Sequence, residues 1–248
     1  KYIDPIAVNE NFKAWFKVEE AFLLEVPDSI GVGAIKQIEF ADSLIFLLED
    51  GVTSSILVFN REGQYERRLL KLGLGPGEYV QIDLFIFDEK NITIYDRSQM
   101  KLISYSLSDF SNFHSYNIED YLVGALSVPN TRRMFFVSDS DIEQGIQKGY
   151  GFCEEGFTNC KFKPQFSSFI EGFLPQSISH FGGKYFLFQP FSDRLYQIGK
   201  DSLLLVLEMD FGIKKIPNKV STFDQAEDLY KTLSSDSYFF APTNILVK

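Results

Sequence analysis

The sequence predicts an all-β repeat protein, and among all-β folds a β-propeller. Phe (26) and Tyr (12) are abundant and aromatic residues make up 16% of the 248 residues, a composition that favours strands over helices. Short apolar strands also recur between turns rich in Gly, Asn and Asp. These strands fall into groups of four, and the spacing between groups, roughly 40 to 52 residues, matches one propeller blade. The equivalent second strands begin near Leu44, Ile92, Met134, Tyr185 and Tyr238.

Taken in order, the elements form one propeller domain over residues 16–248, preceded by an N-terminal arm over residues 1–15. Residues 16–25 are predicted as a lone extended segment that stops before Pro27, because proline cannot donate a backbone hydrogen bond to a sheet. Four-stranded blades are then predicted near 34–70, 80–117, 122–165 and 176–211, with a partial fifth blade at 232–248.

A β-sandwich is the competing all-β fold, since it also has short strands and regular turns. The internal repeat favours the propeller, in which each sheet buries its faces only against neighbouring sheets. Residues 220–231 interrupt the strand pattern with apolar side chains at helical spacing, which predicts a short helix between blades. That helix would pack on the outside of the ring or form a lid over a channel mouth.

The formal net charge of −10 gives nucleic acids and anionic lipid surfaces no attractive long-range field, so we expect no nucleic-acid partner. A small basic group, Arg67, Arg68 and Lys71, is interpreted as a solvated strand edge or loop. No run approaches the roughly 18 apolar residues that cross a bilayer, and the first ten residues contain no apolar signal region.

The two cysteines, Cys153 and Cys160, flank a predicted turn between two strands. A disulfide across this hairpin and a pair of free thiols are both compatible with the sequence. A closed zinc site needs four nitrogen or sulfur ligands, and the only histidines are His114 and His180. We therefore predict neither a metal site nor another cofactor.

A glycine-rich turn separates the first two predicted blades. Clustered glycines allow positive φ angles, and Pro76 fixes one φ angle near −65°, so we interpret the turn as structural. The alternative is an anion-binding nest of backbone N–H groups with Glu78 as an acid or cation ligand. No Lys-Ser/Thr pair follows, which excludes a phosphate-binding P-loop. The residues of this motif are Gly73, Gly75, Pro76, Gly77, Glu78 and Tyr79.

Candidate ligand-binding residues follow the inner strands of the second and fourth blades. Two of them, Asp96 and Asp193, are predicted to face a shared central channel, where glycosidase-like catalysis would need carboxyl groups about 5 to 9.5 Å apart; the alternative is two solvated turn aspartates. Aromatic residues at a channel mouth would stack on sugars or peptides, although at strand spacing they also fit the core. No motif identifies a catalytic residue. The full set of binding candidates is Tyr95, Asp96, Asp193, Arg194 and Tyr196, with Phe188, Phe191 and Trp15 as further aromatic residues.

Residues 59–63, followed by the glycine motif at 73–79, resemble the signature of six-bladed β-propeller proteins from the cell envelopes of gut-type anaerobic bacteria, relatives of the NHL-repeat propellers. Residues 24–28, 191–196 and 210–212 resemble further parts of that pattern. Asn60 and Gln64 replace the usual Asp and Lys, and Asn60 still suits a turn. A full six-bladed ring would need roughly 70 to 100 further residues at this period, so we expect the ring to be incomplete within this chain.

The resemblance implies export to the periplasm or outer envelope, with a lipidated cysteine upstream of residue 1 as the only membrane contact, and no assigned catalytic activity. The sequence therefore predicts a noncatalytic binding or scaffold propeller whose ligand is a glycan, a peptide or an envelope protein. The alternative is a lyase or hydrolase with acidic residues at the central channel. A third hypothesis is a purely structural platform for protein partners.

Overall fold

A computed structural model describes residues 23–41, 43–119, 121–128, 130–131, 133–139, 149–154, 157–164, 178–181, 183–188 and 194–208. Within these residues, sixteen strands form four sheets, each of four antiparallel strands in chain order. The prediction of an all-β propeller with four-stranded antiparallel blades is confirmed. The predicted N-terminal arm, the helix at 220–231 and the partial fifth blade lie outside the described residues.

The strand bounds of the first two blades follow the predicted repeat. Blade 1 contains β1 (Ile35–Ala41), β2 (Leu44–Glu49), β3 (Ser55–Asn60) and β4 (Tyr65–Leu69). Blade 2 contains β5 (Leu84–Phe87), β6 (Asn91–Asp96), β7 (Lys101–Ser106) and β8 (Phe113–Asn117).

The next two blades have the same order. Blade 3 contains β9 (Tyr121–Val128), β10 (Arg133–Asp139), β11 (Gly149–Glu154) and β12 (Thr158–Pro164). Blade 4 contains β13 (Ile178–Phe181), β14 (Lys184–Phe188), β15 (Arg194–Ile198) and β16 (Leu203–Glu208).

The chain divides into two compact units, Lys1–Leu70 and Lys71–Lys248. In the first unit, the segment before blade 1 covers one face of β2 and β3. Its apolar side chains Leu24, Val26 and Ile30 pack on a buried cluster, and the Glu25 N–H donates to the Gly63 carbonyl at 2.8 Å. The buried cluster consists of Ile45, Leu47, Leu57 and Phe59.

The turn after β3 shows why asparagine serves at position 60. The Asn60 side-chain oxygen accepts the Gln64 N–H at 2.9 Å, and the Asn60 carbonyl accepts the Gly63 N–H at 3.1 Å. Gly63 has a φ angle of 85°, a conformation that glycine adopts without steric cost. The expectation that Asn60 still supports the turn is confirmed.

In the second unit, the core lies between successive blades. Blades 2 and 3 share a buried cluster that includes Leu84, Tyr95, Leu122 and Phe136, and strands β5 and β9 lie side by side. Blades 3 and 4 share another, which includes Phe135, Phe152, Leu187 and Ile198. Full burial of each such side chain stabilises the fold by about 1.5–3 kcal/mol. Since blades 2, 3 and 4 bury their facing sides on one another, position relative to an adjacent blade decides which of their side chains are accessible.

The two cysteines form a disulfide across the hairpin of β11 and β12, with a sulfur-to-sulfur distance of 2.03 Å. This settles the choice that the sequence left open. Cys153 is only 1% exposed and belongs to the cluster between blades 2 and 3, whereas Cys160 is exposed. The bridge thus ties the outer strand of blade 3 to the core between two blades. Within the described residues, no helix is long and apolar enough to span a membrane.

Candidate binding site

The glycine motif folds into a loop that satisfies its own polar groups. The Gly73 N–H donates to the Tyr79 carbonyl at 2.9 Å and the Tyr79 N–H to the Lys71 carbonyl at 3.0 Å. The Gly75 N–H donates to the Glu78 carboxylate at 2.9 Å. A side chain at Gly73 would clash with that carboxylate, because an added Cβ would lie against Glu78 Oε2. The carboxylate of Glu78 therefore occupies the place that an anion would take in a nest.

Side chains of blade 2 form hydrogen bonds with the backbone of this loop. Lys101, 7% exposed, donates from Nζ to the carbonyls of Gly75 and Glu78, both at 3.1 Å. The Tyr105 hydroxyl donates to the Gly77 carbonyl at 3.1 Å, and burial raises the pKa of this hydroxyl above its usual range. These buried donors each have a loop carbonyl as acceptor, which fixes the loop as part of the blade 2 structure.

Asp96, the last residue of β6, is fully buried. Its Oδ2 accepts the Val80 N–H at 2.6 Å and the Gln99 amide at 2.9 Å, and its Oδ1 accepts the Gln99 N–H at 3.1 Å. The side chain connects the loop before β5 with the turn after β6. The interpretation of Asp96 as a solvated turn aspartate is therefore wrong, because burial and three hydrogen bonds separate it from solvent.

Tyr95 is also fully buried and packs in the cluster between blades 2 and 3. Its hydroxyl lies 3.8 Å from the Met100 sulfur. Burial raises the pKa of the Tyr95 hydroxyl, and the nearby negative charge of Asp83 raises it further. In this conformation the ring fills the core and offers no face to a ligand.

The sequence analysis missed Glu49, which has the same position in blade 1 as Asp96 has in blade 2. Glu49 ends β2 and is fully buried. Its Oε1 accepts the N–H groups of Gly33 at 3.2 Å and Gly51 at 2.7 Å, and also that of Val52. Its Oε2 accepts the N–H and the hydroxyl of Thr53, both at 2.9 Å. Alignment of the second strands would have revealed it, since both end in a carboxylate.

These hydrogen bonds decide the charge of Glu49. Burial opposes ionisation and raises the pKa, but the hydrogen bonds from Thr53, Val52 and Gly33 outweigh it, so the pKa of Glu49 lies below its ordinary value of 4.5. Glu49 is therefore an ionised carboxylate surrounded by backbone donors. Such a group is poorly suited to proton transfer near neutral pH, where a general acid needs a raised pKa.

Two other candidates lie in blade 4. Arg194 is exposed, and its Nε donates to the Glu208 carboxylate at 3.1 Å, an interaction that raises the pKa of the guanidinium. Tyr196 is half-buried and packs on the cluster between blades 3 and 4. Asp193, with Phe191 and Trp15, lies outside the described residues. The contacts of Tyr95 and Asp96 belong to blades 2 and 3, whereas those of Arg194 and Tyr196 belong to blades 3 and 4.

An exposed arginine, Arg97, lies near the starts of β5 in blade 2 and β9 in blade 3. Arg97 directly follows β6, and its guanidinium carbon lies 4.5 Å from the centre of the Tyr121 ring, at the start of β9. The Arg97 N–H donates to Asp83 Oδ2 at 2.8 Å, just before β5. The sequence analysis identified neither Arg97 nor Tyr121 as a binding candidate, because no sequence signal links residues that come together across two blades.

The polar groups of this region differ in their exposure. The buried acids Glu49 and Asp96 accept hydrogen bonds from backbone and side-chain donors, whereas the Arg97 guanidinium is exposed. Within the described part of the chain, no group of three or more His, Cys, Asp or Glu side chains is arranged to hold a metal ion. His114 lies exposed on β8.

Comparison with known proteins agrees with this fold. A sequence model of the DUF5128 family, described as a 6-bladed β-propeller, matches residues 4–243. The chain belongs to this family. The four blades of the described residues are thus blades of a six-bladed type. No curated protein matches the chain significantly.

Solved structures share the fold at low sequence identity. A protein of Bacteroides fragilis that is predicted to be exported has 22% identity and a TM-score of 0.62, over 77% of this chain and 55% of that one. The chain thus spans little more than half the length of that relative. The β-propeller domain of Cps50 (Swd1) from Myceliophteria thermophila has 12% identity and a TM-score of 0.46, over 74% of this chain and 58% of that one. Virginiamycin B lyase from Staphylococcus aureus has 11% identity and a TM-score of 0.45, with 75% and 57% covered.

Proposed function

We propose that this chain is an exported, noncatalytic propeller of the bacterial cell envelope that binds a glycan, a peptide or a partner protein. The observation that carries the proposal is the contrast between its polar groups. The buried carboxylates of Glu49 and Asp96 are engaged by backbone donors, while an arginine stacked on a tyrosine is exposed. Acid catalysis needs a carboxyl group that reaches the substrate, whereas an exposed guanidinium suits binding.

Export is supported by the Cys153–Cys160 disulfide, because disulfides persist in oxidising compartments and are rare in the cytosol. The fold neighbour from Bacteroides fragilis, predicted to be exported, agrees with this. The proposal also includes kinship with NHL-repeat propellers, a location in the periplasm or outer envelope, and a lipid anchor upstream of residue 1.

The proposed ligand surface keeps Asp193, Arg194 and Tyr196 from the sequence analysis and adds Arg97 and Tyr121. Tyr95 and Asp96 support this surface from beneath, since both are buried directly before Arg97. The cation–π contact with Tyr121 restrains the Arg97 guanidinium, and an ordered binding group loses less entropy when a ligand arrives.

Three measurements test the proposal. The purified chain would be applied to arrays of envelope glycans and peptides, and incubated with glycosidic, ester and peptide substrates. We expect retention on one array class without turnover. Turnover that is abolished by Asp193→Asn, but not by Asp88→Asn in an exposed turn, would overturn the noncatalytic assignment. Fractionation of the native host, with the full-length gene, should place the protein in the envelope; recovery in the cytosol would contradict export.

A further inference from the structure

Three arginines of the described residues form an ion pair with a carboxylate, and Arg97 is not among them. Arg67 pairs with Glu66 at 2.9 Å, Arg133 with Asp201 at 3.6 Å and Arg194 with Glu208 at 3.1 Å. Within the described ranges, the Arg97 guanidinium contacts the Tyr121 ring, while the backbone N–H donates to Asp83 and the backbone carbonyl accepts the Met100 N–H at 3.2 Å. In a chain of net charge −10, this exposed guanidinium, which has no carboxylate partner among the described residues, can bind an anionic ligand group.

Both the backbone and the guanidinium of Arg97 have contacts that restrain them. The hydrogen bond to Asp83 fixes the backbone at the start of the turn. The Tyr121 ring lies against the guanidinium at 4.5 Å, and stacking on an aromatic ring leaves the edge N–H donors of arginine free. Those donors form a fork that matches the two oxygens of a carboxylate.

We infer that Arg97, supported by Tyr121, binds a carboxylate of a peptide ligand. This inference rests on the proposed binding function and names the ligand class at that site. The net charge of the protein disfavours polyanionic ligands at long range, so a group with one negative charge fits better than a polyuronate. A sugar would also need an open aromatic face, and Arg97 covers one face of Tyr121. The C-terminal carboxylate of a peptide, or one acidic side chain, has a single negative charge and needs no open aromatic face.

The test uses the tripeptide N-acetyl-Gly-Gly-Gly with a free carboxylate, and the same peptide as its C-terminal amide. The readout is the Nε–Hε NMR signal of Arg97, assigned by its loss in Arg97→Gln. We expect the free acid to shift this signal and to saturate it at millimolar concentration, as a weak single contact should. The amide should leave the signal unchanged. Arg97→Lys keeps the charge but loses the fork, so its affinity for the acid, measured by ligand-detected NMR, should fall at least fivefold.

Arg133→Gln is the matched control, since it also removes one surface charge. Arg133 lies at the opposite end of β9 and β10 from Tyr121, because Arg133 pairs with Val128 and Asp139 with Tyr121. This control should bind the free acid as the wild type does. Equal shifts with acid and amide, or equal affinity in wild type and Arg97→Lys, would overturn the inference.

A parallel titration with galacturonate separates the source of the carboxylate. If galacturonate shifts the Arg97 signal and the peptide acid does not, the peptide assignment is wrong and the site belongs to an acidic glycan. If Arg97→Gln retains all binding to the arrays, this inference fails while the proposed function stands. Loss of array binding by the wild type itself would be a failure of the proposed function.

Discussion

Blades 1 and 2 each have a buried carboxylate at the same position of the repeat, a glutamate in blade 1 and an aspartate in blade 2. In each blade the second strand ends in a buried acid, Glu49 in β2 and Asp96 in β6. Each accepts an N–H from the segment before the first strand of its own blade, Gly33 in one case and Val80 in the other. Each also accepts donors from the turn that follows, so one carboxylate ties the start of the blade to the turn between its second and third strands.

The difference lies in the length of the turn and of the side chain. Five residues separate β2 from β3, and four separate β6 from β7. The longer turn goes with the longer acid, and Glu49 accepts three consecutive N–H groups from residues 51–53. In blade 2, Asp96 accepts the backbone and the side chain of Gln99 instead. Both turns end in a residue with positive φ, Ser54 at 46° and Met100 at 49°. The two blades thus have an acidic residue at the same position of the repeat, but different groups of the following turn donate hydrogen bonds to it.

The largest expected effect is that of Glu49→Ala. Removal of the carboxylate leaves several backbone N–H groups in a buried turn without an acceptor, and each such group costs roughly 1–3 kcal/mol. Because the turn can open partly to water, we expect the free energy of unfolding to fall by about 3–5 kcal/mol. Urea unfolding measures this. Glu66→Ala, at an exposed ion pair, is the control and should cost less than about 1 kcal/mol.

Asp96→Ala should have the next largest effect. Asp96 has three hydrogen bonds where Glu49 has five, so we expect a loss of about 2–4 kcal/mol in the free energy of unfolding. Asp88, which accepts two backbone N–H groups in an exposed turn, provides a matched control. If Asp88→Ala and Asp96→Ala destabilise equally, burial is not what makes the blade 2 carboxylate important.

The acid limb of the stability profile reports on Glu49. The pKa of Glu49 is lowered in the folded state by its hydrogen bonds, against the effect of burial. Its stabilising contribution is therefore complete above the ordinary pKa of 4.5, and is lost as the pH falls through the folded-state pKa. Glu49→Gln should flatten the decline of the unfolding midpoint below about pH 4.5.

Asp109 supplies the comparison for that measurement. It is an exposed carboxylate whose pKa is also lowered, mainly by the N–H and hydroxyl of Ser111. Solvent screens such a group, so Asp109→Asn should change the acid limb of the stability profile less than Glu49→Gln. An equal or larger change would show that the buried site in blade 1 does not dominate the acid sensitivity.

The smallest expected effects come from removal of single side-chain donors. Thr53→Val removes the hydroxyl but keeps the N–H that binds Glu49, and Gln99→Leu removes the amide but keeps the N–H that binds Asp96. Each should cost about 1 kcal/mol. Gln99→Leu should cost more, since Gln99 also contacts the Gly73 carbonyl and Lys101. Thermal unfolding of both variants gives the order, and a larger cost for Thr53→Val would contradict it.

The fold could be read from the sequence because its signals are local. Strands such as β3 and β6 are short apolar runs between turns, and the asparagine and glycine of the turn at 60–63 specify that hairpin within five residues. The spacing of the repeats then gave the blade. The glycine motif, predicted as a structural turn, contains hydrogen bonds between its own residues.

The candidate site could not be read in the same way, because its determinants are distant in sequence. Asp96 is buried by a loop that brings Val80 to its carboxylate, and nothing in the residues around Asp96 reports this. Arg97 and Tyr121 meet because blades 2 and 3 pack together. Periodicity identifies strands and blades, whereas the accessibility of a side chain depends on neighbouring blades that local patterns do not describe.

The bridge between Cys153 and Cys160 has a further consequence for anyone who prepares the protein. One sulfur lies at the surface, where a small reductant can reach it. A chain folded in a reducing cytosol would carry two additional hydrogens compared with one folded under oxidising conditions. The intact mass of a purified sample, measured after rapid alkylation, therefore records the chemical environment in which the chain folded.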